Sequence, residues 1–323
     1  MNICDVAAME YLIILASFAV ALSIGANDMA NAIGTTVGSN VLRYRRAILY
    51  GGIAVGIGAL WGGSNTIETV GKGVIDTTTV EPAVLAAAIF CAALTVGVAT
   101  YLSFPVSATQ ALVGSLAGTG MAMGIELNSQ VLLDIAVVWL FLPFLSMALS
   151  FSLYFVIRVP FSAIYGRWYG AYQILIRYLV IFSGILVAFS LGTNNIGNVV
   201  GVLEVNSVLG TVPSVVLGAV GITIGAFLFS QGVILSIGKR ITTLDPLRAF
   251  VSQLATALSV LVCTAIGIPV SLSQAMVGSV MGCGLTKGRA YINKGFMLKV
   301  VASWALCPLL SGLTMYVLYG IIA

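Results

Sequence analysis

Gly25-Ala26-Asn27-Asp28-Met29-Ala30-Asn31-Ala32-Ile33-Gly34 interrupts an apolar run with one acid, two asparagines and a glycine at each end. Polar groups inside such a run are costly and have to find partners, so they point to function rather than chance. The stretch has a second copy. Ala21 to Asn31 aligns with Ala188 to Asn198, and Gly192-Thr193-Asn194-Asn195-Ile196-Gly197-Asn198 repeats the interruption at an offset of 194 − 27 = 167. Outward from it the register persists. Val70-Gly71-Lys72 matches Ile237-Gly238-Lys239, and Pro105-Val106-Ser107-Ala108-Thr109-Gln110-Ala111 matches Pro269-Val270-Ser271-Leu272-Ser273-Gln274-Ala275 at 269 − 105 = 164. Trp139 and Pro143 match Trp304 and Pro308 at 304 − 139 = 165. Four elements in one order mark a duplication. The expected division is a first unit over 1–157, a connection over 158–171 and a second unit over 172–323.

Composition says where the chain resides. It is 60% hydrophobic and 7% charged with a mean hydropathy of +1.11, whereas soluble domains carry roughly a quarter charged residues. Ten apolar segments fall near 11–36, 48–64, 83–103, 105–123, 131–157, 172–200, 208–236, 247–266, 268–284 and 296–320. They are continuous rather than alternating, which favours helices over a barrel. The expected fold is an all-α polytopic membrane protein with broken or re-entrant half-helices at the midplane. The N-terminus has no basic residue before its first apolar run, so that run reads as a permanent helix. The cysteines have no paired spacing and suggest neither a disulfide framework nor a metal cluster. No nucleophile-base pair stands out, which argues against an enzyme, and a net charge of +4 reflects topology rather than nucleic-acid binding.

Charge also orients the units. The loops after the first two segments carry Arg43, Arg45 and Arg46 and then only Lys72, while their counterparts carry none and then Lys239, Arg240 and Arg248. The loop around Glu126 has no basic residue, but its counterpart holds Lys287, Arg289, Lys294 and Lys299. With Asp5 and Glu10 outside and each segment crossing once, every basic residue except Lys72 faces the cytoplasm and both termini lie outside the cell membrane. Five segments per unit is an odd number, so the units are inverted. Inverted units that exchange conformations open a central site to each side in turn, the logic of a transporter.

The motifs suggest what is carried. Asp28 is the acid set deep in an apolar run, where an uncompensated charge costs at least about 2.5 kcal/mol. Asn27, Asp28 and Asn31, with Asn194, Asn195 and Asn198 from the second copy, offer hard oxygens suited to Na⁺ or a similar cation; the plainer reading is hydrogen-bonded glue between helices. Asn195 stands where Asp28 stood, so the second copy has lost the charge. Pro105 and Pro269 read as first-turn prolines of helices that start within the bilayer. Behind them, open N–H groups and the side chains of Ser107, Thr109, Gln110, Ser271, Ser273 and Gln274 form an oxyanion site that lacks a cationic side chain. Proline-kinked helices bonded back on themselves are the alternative. Two helix dipoles supply about half a charge each, so a multiply charged oxyanion needs a companion cation, which predicts co-transport. Without histidine, Asp28 is the carboxylate left for proton coupling. Gly114 to Gly118 and Gly278 to Gly282 read as packing faces.

At these residues the chain resembles the inorganic phosphate transporter (PiT) family, whose signature is a repeated GANDVANA-like motif and a repeated P-V-S-x-(ST)-Q-A motif. Gly25 to Ala32, Glu68-Thr69-Val70-Gly71-Lys72, Pro105 to Ala111 and Pro269 to Ala275 carry the likeness, and the short connection is similar to that of compact archaeal and bacterial members. The resemblance implies a homodimeric phosphate symporter driven by Na⁺ or H⁺. It places the cations at Asn27, Asp28, Asn31, Asn194, Asn195 and Asn198, and phosphate at Asp28 and the Ser, Thr and Gln residues above. Many members have a second Asp where Asn195 stands, which leaves the coupling ion and its stoichiometry open. Sulfate carried by the same architecture, or a channel of paired half-helices, are the competing expectations.

Overall fold

Each of the ten apolar segments carries a helix in the computed structural model, which describes residues 3–62 and 73–322. The first half runs α1 (Ile3–Ile24), a π turn (Gly25–Met29), α2 (Ala30–Gly38), α3 (Tyr44–Gly62), α4 (Pro82–Tyr101), α5 (Ala108–Met123) and α6 (Ser129–Arg167). The second runs α7 (Tyr169–Asn195), α8 (Gly197–Val205), α9 (Thr211–Phe229), α10 (Gln231–Leu235), a π turn (Ser236–Arg240), α11 (Pro246–Ala265), α12 (Leu272–Leu285) and α13 (Lys294–Ile322). No strand occurs among the described residues.

Seven helical stretches are long and apolar enough to cross a membrane, with α1–α2 and α7–α8 each counting as one. The others differ for physical reasons. α5 and α12 have 16 and 14 residues, or about 24 and 21 Å at 1.5 Å per residue, too short for a core of about 30 Å. Both begin at a serine cap, where Ser107 and Ser271 accept from the N–H groups of Gln110 and Gln274. Leu140, Phe141 and Phe144 on α6 and Leu309, Leu310 and Leu313 on α13 are exposed, as expected of helices with lipid around them.

Three expectations change in detail. The connection over 158–171 is almost wholly helical, because α6 continues through Pro160 to Arg167 and α7 begins at Tyr169. The segment over 208–236 divides at Ser230, whose hydroxyl bonds back to the Ala226 carbonyl at 2.6 Å. Pro105 and Pro269 stand two positions before the caps Ser107 and Ser271, outside the first helical turns expected of them. Glu68 to Lys72 lies outside the described residues.

The packing is reciprocal between the halves. α1 rests on α9 as α7 rests on α3, and α5 rests on α13 as α12 rests on α6. Each pair converts into the other when both partners shift by about 165 positions. At the first crossing, a Cβ on Gly25 would enter the Ile222 carbonyl and one on Gly225 the Leu22 carbonyl; at its counterpart Gly192 meets Val55 and Gly58 meets Phe189. Only glycine permits so close an approach of backbones. Gly114 lies against the Pro308 carbonyl and Gly278 against that of Pro143, so the small-residue faces do pack helices.

Tryptophans pin the half-helix entries in the same reciprocal way. Trp139 Nε1 donates to the Pro269 carbonyl and Trp304 Nε1 to the Pro105 carbonyl, both at 3.3 Å. Trp304→Phe keeps the ring but deletes the donor, leaving a buried carbonyl short of a partner. The expected loss is about 1 kcal/mol, read as a lower thermal unfolding midpoint in detergent; an unchanged midpoint would show that the bond contributes nothing.

Candidate substrate and cation site

Where α1 passes into α2, the π turn widens the helix and shifts the direction of its side chains, as such turns do at functional positions. Asn31 Nδ2 donates to the Asn27 carbonyl at 2.9 Å, which satisfies a backbone acceptor inside the turn. Asn27 itself ties this turn to the entry of α5: Nδ2 donates to Thr100 Oγ1 at 2.9 Å and to the Phe104 carbonyl at 3.0 Å, and Oδ1 accepts from Val106 N at 3.0 Å. The second copy does the same. Asn194 Nδ2 donates to Thr264 Oγ1 at 2.8 Å and Oδ1 accepts from Val270 N at 3.2 Å.

Thr100 and Thr264 were missed from sequence, although a signal was present: each precedes its proline by five positions and they repeat at 264 − 100 = 164. Ser103 and Gly267 share that register and both hold positive φ, 62° and 78°. There the chain reverses from α4 or α11 into the half-helix.

The two half-helix entries meet. Ser273 Oγ donates to the Val106 carbonyl at 2.5 Å and lies 3.1 Å from Ser271 Oγ. Asn198 Nδ2 donates to Thr109 Oγ1 at 3.0 Å, linking α8 to the first turn of α5. Asn195 Nδ2 donates to Asp28 Oδ2 at 2.8 Å, which joins the two polar interruptions across 167 positions of sequence. All of these side chains are buried, and Asp28 is the only buried side chain with a formal charge among the described residues.

Within these motifs the unpaired atoms are amide and carboxylate oxygens, while hydroxyls of Ser17, Ser146 and Ser311, among others, are unpaired elsewhere. Asp28 Oδ1, Asn31 Oδ1, Asn195 Oδ1, Asn198 Oδ1, Gln110 Oε1 and Gln274 Oε1 are buried with no well-aligned hydrogen-bond partner, the Ala108 N–H at the start of α5 facing the Asp28 carboxylate. Six such oxygens gathered in one set of motifs call for a partner, since each costs about 1–3 kcal/mol when left alone. Hard oxygens suit a hard cation. A transition-metal site is not indicated, because no group of three His, Cys, Asp or Glu residues occurs among the described residues. Gln110 and Gln274 also reach the wall of a cavity of 600 Å³ that Trp139 and Trp304 line. Donors come from elsewhere: the hydroxyls of Ser107 and Thr109, and the first-turn N–H groups of α5 and α12, which precede the first intrahelical bonds to the serine caps; the hydroxyl protons of Ser273 and Ser271 are engaged with the Val106 carbonyl and with Ser273 Oγ. The site thus joins an anion-suited half to a cation-suited half, and no cationic side chain is buried among the described residues.

The family model for the phosphate transporter family matches residues 24–165 and again 165–315. The chain belongs to the phosphate transporter family. A provisionally named phosphate permease of Methanocaldococcus jannaschii is 29% identical over 92% of this chain and 93% of its own. The sulfate permease CysP of Bacillus subtilis is 28% identical over 97% of this chain and 88% of its own. A solved structure titled the sodium-dependent phosphate transporter superposes with a TM-score of 0.89 at 24% identity, covering 98% of this chain and 99% of that one. This last likeness concerns the fold. As a member of the phosphate transporter family the chain is a multi-pass membrane transporter rather than an enzyme.

Proposed function

We propose that the protein is a secondary active symporter that moves inorganic phosphate across the cell membrane together with a cation bound in the same buried site, the cation being Na⁺. The orphaned oxygens around Asp28 carry this reading. They ask for a cation immediately beside two helix N-termini that ask for an anion, so each charge lowers the cost of burying the other. Asp28, Asn31, Asn195 and Asn198 ligate the cation, while Asn27 and Asn194, engaged at both amide ends, hold the turns in place. Ser107 and Thr109 take phosphate oxygens, joined by Ser271 and Ser273 once these release the Val106 carbonyl, with Gln110 and Gln274 behind them. The named sodium dependence of the structural neighbour is consistent with Na⁺.

In the same proposal the two halves are inverted repeats meeting at the midplane, divided as 1–157 and 172–323, with both termini outside and two copies forming a homodimer. The reciprocal contacts support the repeat relation. Sulfate is the second reading, favoured by the similarity to the Bacillus permease. Phosphate keeps a proton near neutral pH, however, and an acceptor such as Asp28 Oδ1 suits that proton, whereas sulfate wants donors alone.

Radiolabelled phosphate uptake into proteoliposomes tests the set. Accumulation is expected with an inward Na⁺ gradient, with little under a pH gradient alone and at least about tenfold weaker competition by sulfate, the order that an unpaired buried polar group gives. Uptake driven only by the pH gradient would replace Na⁺ with H⁺. Flux indifferent to every gradient would indicate a channel.

A further inference from the structure

A polar cavity lies at the end of α2 remote from Asn31. It has a volume of 510 Å³ and is lined by Val37, Asn40, Arg43, Tyr44, Arg46 and Arg177 among others. Three exposed arginines therefore line one space, Arg43 just before α3, Arg46 in its first turn and Arg177 on α7, although 131 positions separate Arg46 from Arg177. Topology explains why arginines gather on the face assigned to the cytoplasm. It does not explain why those from separate helices share a cavity.

Their charge is uncommitted. The ion pairs formed among the described residues both use Asp245, with Arg248 and with Lys287, and no acid lines the cavity. The backbone adds to the positive character. The first bond of α3 runs from Ala47 N to the Arg43 carbonyl, so the N–H groups of Tyr44, Arg45 and Arg46 open the helix without a partner. The end of α2 does not cancel this, since its terminal carbonyls are taken by the N–H groups of Ser39, Asn40 and Val41. The walls are firm as well: Asn40 turns the chain at φ 58°, and the Tyr44 hydroxyl donates to the Ala226 carbonyl of α9 at 2.8 Å.

The geometry points to a binding site for a phosphate-bearing anion, held by Arg43, Arg46 and Arg177 at the end of α3. Guanidinium groups match phosphate oxygens in a planar fork. A basic pocket between helices at this membrane face accepts the phosphate of an anionic lipid headgroup, and free inorganic phosphate on the cytoplasmic side has the same chemistry. The volume is within the range of pockets that enclose small ligands.

The test uses the full chain, purified in detergent, as wild type, as the Arg43→Gln, Arg177→Gln double variant, and as Arg45→Gln. Arg45 does not line the cavity but stacks over the Phe227 ring at 5.9 Å, so its variant controls for loss of surface charge. In one arm, native mass spectrometry counts phosphatidylglycerol retained against phosphatidylcholine. In the other, equilibrium dialysis with radiolabelled inorganic phosphate counts phosphates bound per chain. A lipid as the source predicts retention that falls about fivefold per arginine removed and stays normal in Arg45→Gln. Free phosphate as the source predicts two phosphates per chain in the wild type and one in the double variant. Equal behaviour of all three proteins in both arms would overturn the proposal. A double variant that elutes as aggregate is replaced by Arg43→Lys, Arg177→Lys, which keeps the charge and loses the fork; the same two readouts then decide, with a smaller fall.

Discussion

Asp28→Asn should abolish cation-driven phosphate accumulation while the protein still inserts and folds. The replacement is nearly isosteric, and its amide oxygen can accept from Asn195 Nδ2 as Oδ2 does at 2.8 Å. What disappears is the one formal charge buried among the described residues. A cation ligated only by neutral amides has nothing to offset its desolvation, and phosphate without that cation faces two half-charges at best. Losing a charged hydrogen-bond or ligand contact costs about 1.5–3 kcal/mol, so gradient-dependent uptake should fall at least about tenfold, with elution and thermal unfolding close to wild type. Wild-type accumulation in this variant would remove Asp28 from the coupling site and with it the proposed mechanism.

Gly25→Ala is expected to have the largest effect on stability. One methyl group at this position would occupy the space of the Ile222 carbonyl, and neither backbone can retreat without separating α1 from α9. Overpacking a tight interior costs about 1–3 kcal/mol where a side chain can adjust; with backbone on both sides the upper end applies, and folded yield should drop sharply. Gly225→Ala meets the Leu22 carbonyl and should behave alike, whereas Gly97→Ala on α4 meets nothing within 4 Å and should be neutral. Fluorescence-detected size exclusion after heating separates them. Equal melting of Gly25→Ala and Gly97→Ala would mean that the crossing is looser than its geometry.

The Asp28 and Gly25 positions also show what the sequence made legible. Asp28 was conspicuous because an acid in lipid demands an explanation, and its repeat partner Asn195 could be located by the 167-residue offset alone. The contact between them could be anticipated only as convergence of two copies. Gly25 looked like part of a polar motif; that it also admits a neighbouring helix depends on α9, which has no local trace near residue 25. The same holds for Asn27 and Asn194. Their residue type suggested a ligand, yet both amide ends bond to the half-helix entry, because a nearby loop with unsatisfied N–H and C=O groups is a partner too. Element edges were least legible at the expected connection over 158–171: α6 runs on through Pro160 to Arg167, so most of that connection is helix.

That near-continuous rod has a mechanical meaning. Trp168 alone separates 39 helical residues from 27, and its backbone sits at φ −141° and ψ 62°. The tether between the halves therefore has almost no slack. In the proposed alternation, a tilt of one half against the other would bend the chain at this elbow or at Pro143 and Pro160 within α6, as a crank transmits rotation, so lengthening the joint with a few glycines would let the halves drift out of step without touching a single ligand.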